Sequence, residues 1–224
     1  MSAARPGRLR LLFEKTGRAR YISHLDLMQT LRRVFARADV ALRRTEGFNP
    51  HPYISLALPL PVGQESVCEL MDFETEAAIH PEIIPELLNP KMPEGIRALR
   101  AYAPARALSG IKWVEIRVSL EYDAPPRDAG AALAEYFSAD SIVVPKRTKR
   151  GIRDVDIAPA IRSVRFSGAE AGRVEGGAVI SASEPALNPE LLLTAIARDA
   201  PSLSPDYALI RRVEIFDADM NVFR

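Results

Sequence analysis

The sequence predicts an α+β fold of two tandem units, each with the element order β-α-β-β-α-β and an antiparallel sheet that carries both helices on one face. Three observations lead there. Strand-like runs alternate with two helical patterns in the first half, the same order returns from Ile111, and a short Pro, Ser and Gly segment from Ala105 to Gly110 divides the halves. This is the ferredoxin-like arrangement, with expected domains at residues 1–107 and 108–224. The halves share no close sequence repeat, so the symmetry rests on element order.

The first strand is expected at about residues 8–14. Ser23 is placed to cap a helix running from His24 to about Ala38, with Asp26 three residues on as the carboxylate form of a capping box. Leu27, Leu31, Val34 and Ala38 share one helical face that Met28 and Phe35 widen, and Arg32, Arg33 and Arg37 fall mostly outside it. Strands at 54–58 and 67–75 follow. A short helix after His80-Pro81 rests on Ile83, Ile84, Leu87 and Leu88, made irregular by Pro85. A strand at 96–103 completes the unit.

In the second unit, Trp113 to Tyr122 alternates as a strand, Asp128 to Phe137 is helical, and another strand begins at Ser141 to Val144. Strands near 153–166 and 178–183 come next, with the run from Gly168 to Gly177 as a hairpin connection. Asn188-Pro189-Glu190 opens a helix with a cap followed by proline. Tyr207 to Phe216 is the closing strand.

Composition bounds the function classes. With 224 residues, 47% hydrophobic and 26% charged, the chain can bury one sizeable core or two small ones. No apolar run approaches the ~20 residues of a membrane helix, and Met-Ser-Ala-Ala-Arg-Pro-Gly-Arg at the start lacks the apolar heart of a signal peptide. A cytoplasmic protein that does not engage membranes is expected. The single cysteine, Cys68, excludes an internal disulfide. Three histidines, at 24, 51 and 80, give with it no zinc-ligand spacing, so no metal is expected. Phosphate-binding glycine loops of the nucleotide-binding kinds are missing, and no cofactor is expected.

The net charge of +1 is unevenly spread: residues 1–50 carry +7, residues 51–110 carry −4 and the remainder −2. Such a distribution is either solvated surface or a local anion-binding face. A second basic cluster, Lys146-Arg147-Thr148-Lys149-Arg150-Gly151-Ile152-Arg153, has five cations and no acid, partly offset by Asp154 and Asp156. It suits a polar hairpin tip or a clamp on successive phosphates.

The most specialised stretch is Arg43 to Gly63, which sets two arginines, an Asn, a His and two aromatics among prolines. Gly47, Pro50 and Pro52 stiffen the bend that displays Phe48, Asn49 and His51. Phe48 and Tyr53 suit base stacking or, alternatively, a plug in the core beneath the loop, the latter being the stronger reading for Phe48. His24 is in the first turn of its helix near Asp26, Arg18 and Arg20. A neutral imidazole there is a candidate general base, and a His24–His51 pair would permit metal-free ribonuclease chemistry if the fold joined them. The plainer alternative is a histidine packed at a helix start.

Tyr21-Ile22-Ser23-His24-Leu25-Asp26, Gly47-Phe48-Asn49-Pro50-His51-Pro52 and Ser55-Leu56-Ala57-Leu58-Pro59-Leu60-Pro61-Val62-Gly63 together resemble the radical-SAM-linked protein family, a bacterial domain found alone or fused behind a radical SAM domain. The resemblance implies a radical SAM protein as partner. One cysteine cannot hold the iron–sulfur cluster of such an enzyme, so any radical chemistry belongs to another polypeptide. Tandem ferredoxin-like units with an early histidine are also similar to the CRISPR repeat-processing endoribonucleases, whose glycine-rich C-terminal loop is not recognisable here.

The expected function is that of an RNA-binding accessory protein, without a catalytic motif of its own, acting with a radical SAM protein on tRNA or rRNA. Arg18, Arg20, Arg32, Arg33, Arg43, Arg44, Lys146, Arg147, Lys149 and Arg150 would hold phosphate, and Phe48, Asn49 and His51 would meet a base or ribose; no DNA preference is expected. The alternatives are a docking module that never meets RNA and a metal-free endoribonuclease using His24.

Overall fold

The computed structural model describes residues 7–148, 151–167 and 172–224. The fold is α+β, and it divides into two compact units, one up to Gly110 with Arg224 and one from Ile111 to Phe223.

The first unit runs β1 (Arg8–Lys15), α1 (His24–Arg37), β2 (Ile54–Leu56), β3 (Glu65–Glu74), α2 (Ile84–Leu88) and β4 (Ile96–Tyr102). Its strands lie in the order β4-β1-β3-β2, every neighbouring pair antiparallel. Alternation along β1 decides which face packs. Leu9, Leu11 and Phe13 join Met71 and Phe73 of β3 and Leu27, Leu31, Val34 and Phe35 of α1 in one buried core. The Phe35 and Phe73 ring centroids are 4.9 Å apart. The Ser23 hydroxyl accepts from the Asp26 N–H at 3.2 Å and donates to the Asp26 carboxylate at 2.7 Å, which fixes the start of α1. The helical stretch after His80 is broken into a 3-10 turn at Pro81–Ile83, the five-residue α2 and a second 3-10 turn at Asn89–Lys91. Each piece begins with a proline in its first turn, where the missing N–H costs least.

Out of phase with that core, Arg10 of β1 lies directly across from Asp72 of β3. Both side chains are fully buried, joined by Nε–Oδ1 at 2.6 Å and Nη2–Oδ2 at 3.0 Å. Arg10 Nη2 also donates to the Arg106 carbonyl at 2.9 Å, and Arg8 reaches the same carboxylate at 2.6 Å.

The second unit runs β5 (Trp113–Glu121), α3 (Ala129–Tyr136), β6 (Val143–Thr148), β7 (Gly151–Asp156), β8 (Ile161–Phe166), β9 (Arg173–Ser181), α4 (Glu190–Asp199) and β10 (Tyr207–Phe216). The order is β10-β5-β9-β8, again antiparallel throughout. Val114, Ile116, Val118 and Leu120 alternate into a core completed by Leu133, Ala178, Ile180, Leu192 and Ile196.

Two expectations do not hold in the second unit. The strand anticipated over 153–166 is two strands, because the Asp156 carboxylate accepts from the N–H groups of Ile142, at 2.9 Å, and Ala158, at 3.0 Å, and a 3-10 turn at Ala158–Ala160 containing Pro159 follows. As a result β6 and β7 form a separate two-stranded ribbon between α3 and β8. Gly176 and Gly177 are not in a hairpin connection but inside β9, and a Cβ at Gly176 would come within 2.6 Å of the Phe166 ring. Gly168 lies outside the described residues, as do Lys149 and Arg150. No helix among the described residues is long and apolar enough to cross a membrane.

Candidate functional site

The chain leaves α1 through Asp39, whose φ of +54° is a left-handed conformation that a short polar side chain tolerates. It then turns back beside the helix. Arg43 N–H bonds the Glu74 carbonyl at 2.9 Å and Glu76 N–H bonds the Ala41 carbonyl at 3.0 Å, so residues 41–43 extend along the end of β3. A hairpin follows. Tyr53 N–H bonds Arg43 O at 2.7 Å, Thr45 N–H bonds His51 O at 2.9 Å, and His51 N–H bonds Thr45 Oγ1 at 3.1 Å. Gly47 at its tip has φ of +131°, open to glycine and strained for other residues.

Between the second half of α1 and the base of this hairpin is a cleft of about 410 Å³, within the size range of small-ligand sites. Its floor is apolar, from Phe35, Val40, Leu42 and Pro52, and Arg32, Arg33 and Arg44 line it with Gln29 and Glu76. Helical spacing accounts for the pairing of roles on α1: Phe35 turns into the core while Arg32 and Arg33 stay exposed. Arg32, Arg33, Gln29 and the Glu76 carboxylate make no side-chain hydrogen bond or ion pair among the described residues. Arg44 makes only a long bond, 3.4 Å, to the Pro50 carbonyl.

Arg43 is ion-paired with Glu74 at 2.8 Å. Arg20, in the 3-10 turn Gly17–Tyr21, is engaged by the Tyr21 hydroxyl at 2.8 Å and by buried Glu65 at 3.8 Å; Arg18 in the same turn is exposed and unpaired among the described residues. Phe48 does not plug the core: it is fully exposed at the hairpin tip, with Asn49 and His51 also exposed and Tyr53 partly so. A turn closed by backbone bonds at 45–51 leaves no route for that ring back to the interior. Lys146 and Arg147 are on β6, where Lys146 faces Arg153 across the ribbon.

His24 is the first residue of α1, whereas the hairpin base flanks Arg32 to Ala36, about 12–18 Å further along the helix axis. Neither His24 nor His51 lines the cleft. Among the described residues no group of three His, Cys, Asp or Glu side chains is placed to hold a metal ion.

Some members of this region are silent in the sequence. Glu76 and Gln29, 47 positions apart, both line the cleft, with no motif joining them. A buried polar group, Lys15, Gln64, Glu65 and Glu69, sits around the 3-10 turn that precedes α1. There Lys15 Nζ donates to the Arg20 carbonyl at 3.1 Å and Gly17 N–H to Glu65 Oε1 at 2.8 Å. Burial pushes the Lys15 ammonium below the ordinary lysine range, and the charge of Glu69 opposes that shift.

Fold and site together define an α+β protein of two antiparallel-sheet units with an arginine-lined, apolar-floored cleft in the first. Residues 8–193 match the model of a family described as an uncharacterized protein conserved in bacteria (DUF2344), and the chain belongs to that family. Among curated proteins none matches. Of solved structures, a chain of a Cbf5-Nop10-Gar1 complex is similar at 11% identity and a TM-score of 0.47; the match covers 92% of this chain but 48%, about half, of that one. An unknown protein from Galdieria sulphuraria is similar at 11% identity and a TM-score of 0.27, over 93% of this chain and 99% of that one.

Proposed function

We propose that this protein is a non-catalytic RNA-binding accessory factor, built from two ferredoxin-like units, that acts with a radical SAM protein in tRNA or rRNA modification or processing. The observation that carries the RNA reading is the cleft: Arg32 and Arg33, unpaired among the described residues, and the weakly held Arg44 surround an apolar floor. Exposed guanidinium groups beside apolar surface match a strand whose bases stack while its phosphates are neutralised. The ferredoxin-like reading is supported by the neighbour orders β4-β1-β3-β2 and β10-β5-β9-β8, with the β6–β7 ribbon as an insertion in the second unit. The radical SAM partner rests on the sequence resemblance and on the single cysteine.

Binding of fluorescent tRNA to the full chain, followed by anisotropy across salt concentrations, tests this. Arg32→Gln/Arg33→Gln/Arg44→Gln is expected to weaken binding tenfold or more and to flatten the log–log salt slope by about two units, at about 0.7 to 0.9 per phosphate contact. Affinity that does not respond to salt would sink the proposal. The docking-module reading is favoured by one feature, the fully exposed Phe48 on a stiff hairpin, since an aromatic anchor of this kind is typical of protein interfaces.

A further inference from the structure

The cleft holds one feature that phosphate binding does not use. Glu76 lines the same cleft as three arginines yet its carboxylate pairs with none of them, and Gln29, also of the lining, is likewise without a side-chain partner among the described residues. A carboxylate in a site for a polyanion repels the backbone, and it becomes a favourable contact where the ligand presents a group that donates hydrogen bonds. Nucleobases differ in this respect. On its pairing edge guanine offers two adjacent donors, N1–H and the 2-amino group. Adenine and cytosine each set a ring acceptor next to their amino group, and uracil flanks its single N–H with two carbonyls.

We propose that the cleft is a guanosine-selective subsite: the base of one strand-borne guanosine lies over Pro52 and Leu42, its N1–H and 2-amino group donate to the Glu76 carboxylate, and Arg32 and Arg33 hold the adjoining phosphates. Two parallel bonds to one carboxylate are charge-assisted and geometrically selective. A site built around such a pair rejects ligands that leave its acceptors unmet. Gln29, able to donate and accept, is suited to the guanine O6 or the ribose.

The inference rests on the RNA-binding reading, and the test separates the two. Full-length protein is titrated with a uridine 9-mer, the same 9-mer with one central guanosine, versions with adenosine or cytidine there, and free GMP. The guanosine 9-mer is expected to bind at least tenfold tighter than the other three. Glu76→Gln should erase that preference by weakening the guanosine 9-mer, while the uridine 9-mer, relieved of the repelling charge, binds no more weakly than before, and GMP should bind at least tenfold more weakly than the guanosine 9-mer because it lacks the flanking phosphates. Equal affinity for all four 9-mers, still lost in Arg32→Gln/Arg33→Gln, would overturn guanosine selectivity and leave RNA binding standing. GMP binding as tightly as the 9-mer would overturn the strand-borne assignment in favour of a free nucleotide. Absence of binding to every oligonucleotide would remove both readings.

Discussion

Single residues in the first unit divide into those that hold the sheet and those left open to solvent. Arg10 and Asp72 belong to the first kind. A guanidinium and a carboxylate, both without exposure, form two bonds across β1 and β3, to which Arg8 and the Arg106 carbonyl add one contact each. Removing one partner from such a pair leaves an uncompensated buried charge, at a cost of about 3–5 kcal/mol. Asp72→Ala is therefore expected to destabilise the protein by about that amount in urea unfolding, and Asp72→Ala/Arg10→Met to recover a large part of it. A double variant no more stable than Asp72→Ala would show that the pair is not the source of the loss. Arg32 and Arg33, by contrast, make no side-chain hydrogen bond or ion pair among the described residues, and their replacement should affect binding more than folding.

At the scale of elements, the sequence was most legible where local chemistry closes within a few residues. The Ser23–Asp26 cap, the apolar stripe of α1 and the alternation of β5 follow from side chains near one another in the chain. Elements decided by remote partners were not legible. The break between β7 and β8 depends on an Asp156 carboxylate reaching Ile142, 14 residues back, and the placement of Gly177 in β9 depends on its pairing with Arg117 and Arg165. The contact of α3 with α4 is of the same kind. Tyr136 of α3 donates to Asp199 of α4 at 2.8 Å, and burial, then this hydrogen bond, raise the phenol from 10.0 to about 12. The folded state keeps that proton at a pH where the unfolded chain loses it. Its stabilisation is thus complete below about pH 10 and lost as pH rises through about 12. The difference in urea midpoint between wild type and Tyr136→Phe should be constant from pH 8 to 10 and shrink between 10 and 12. A difference that stays flat over the upper window would contradict the raised phenol.

For the whole molecule, the two cationic regions found in the sequence turn out to differ in construction, and that difference makes their roles separable. The first is a cleft with an apolar floor in the first unit; the second is the β6–β7 ribbon of the second unit, bonded within its sheet only to itself. The cleft was half legible: charge counting pointed to Arg32, Arg33 and Arg44, but only folding sets them beside Glu76. On the ribbon, Lys146 and Arg153 are directly opposite, an arrangement that like charge disfavours unless an anion lies between them. Among the described residues their apolar neighbour at the tip is the single exposed Ile152, which Arg147 faces across the strands. A ribbon of this kind can add phosphate contacts to a long RNA but has nothing to select a base. Lys146→Gln/Arg147→Gln/Arg153→Gln is accordingly expected to weaken tRNA binding about tenfold or more and to flatten its salt slope by about two units, while leaving the guanosine 9-mer unchanged. The guanosine preference of the 9-mer reports the cleft, because that preference is assigned to Glu76 and not to the ribbon. Loss of 9-mer binding in the ribbon variant would mean that the ribbon and not the cleft carries the primary contact.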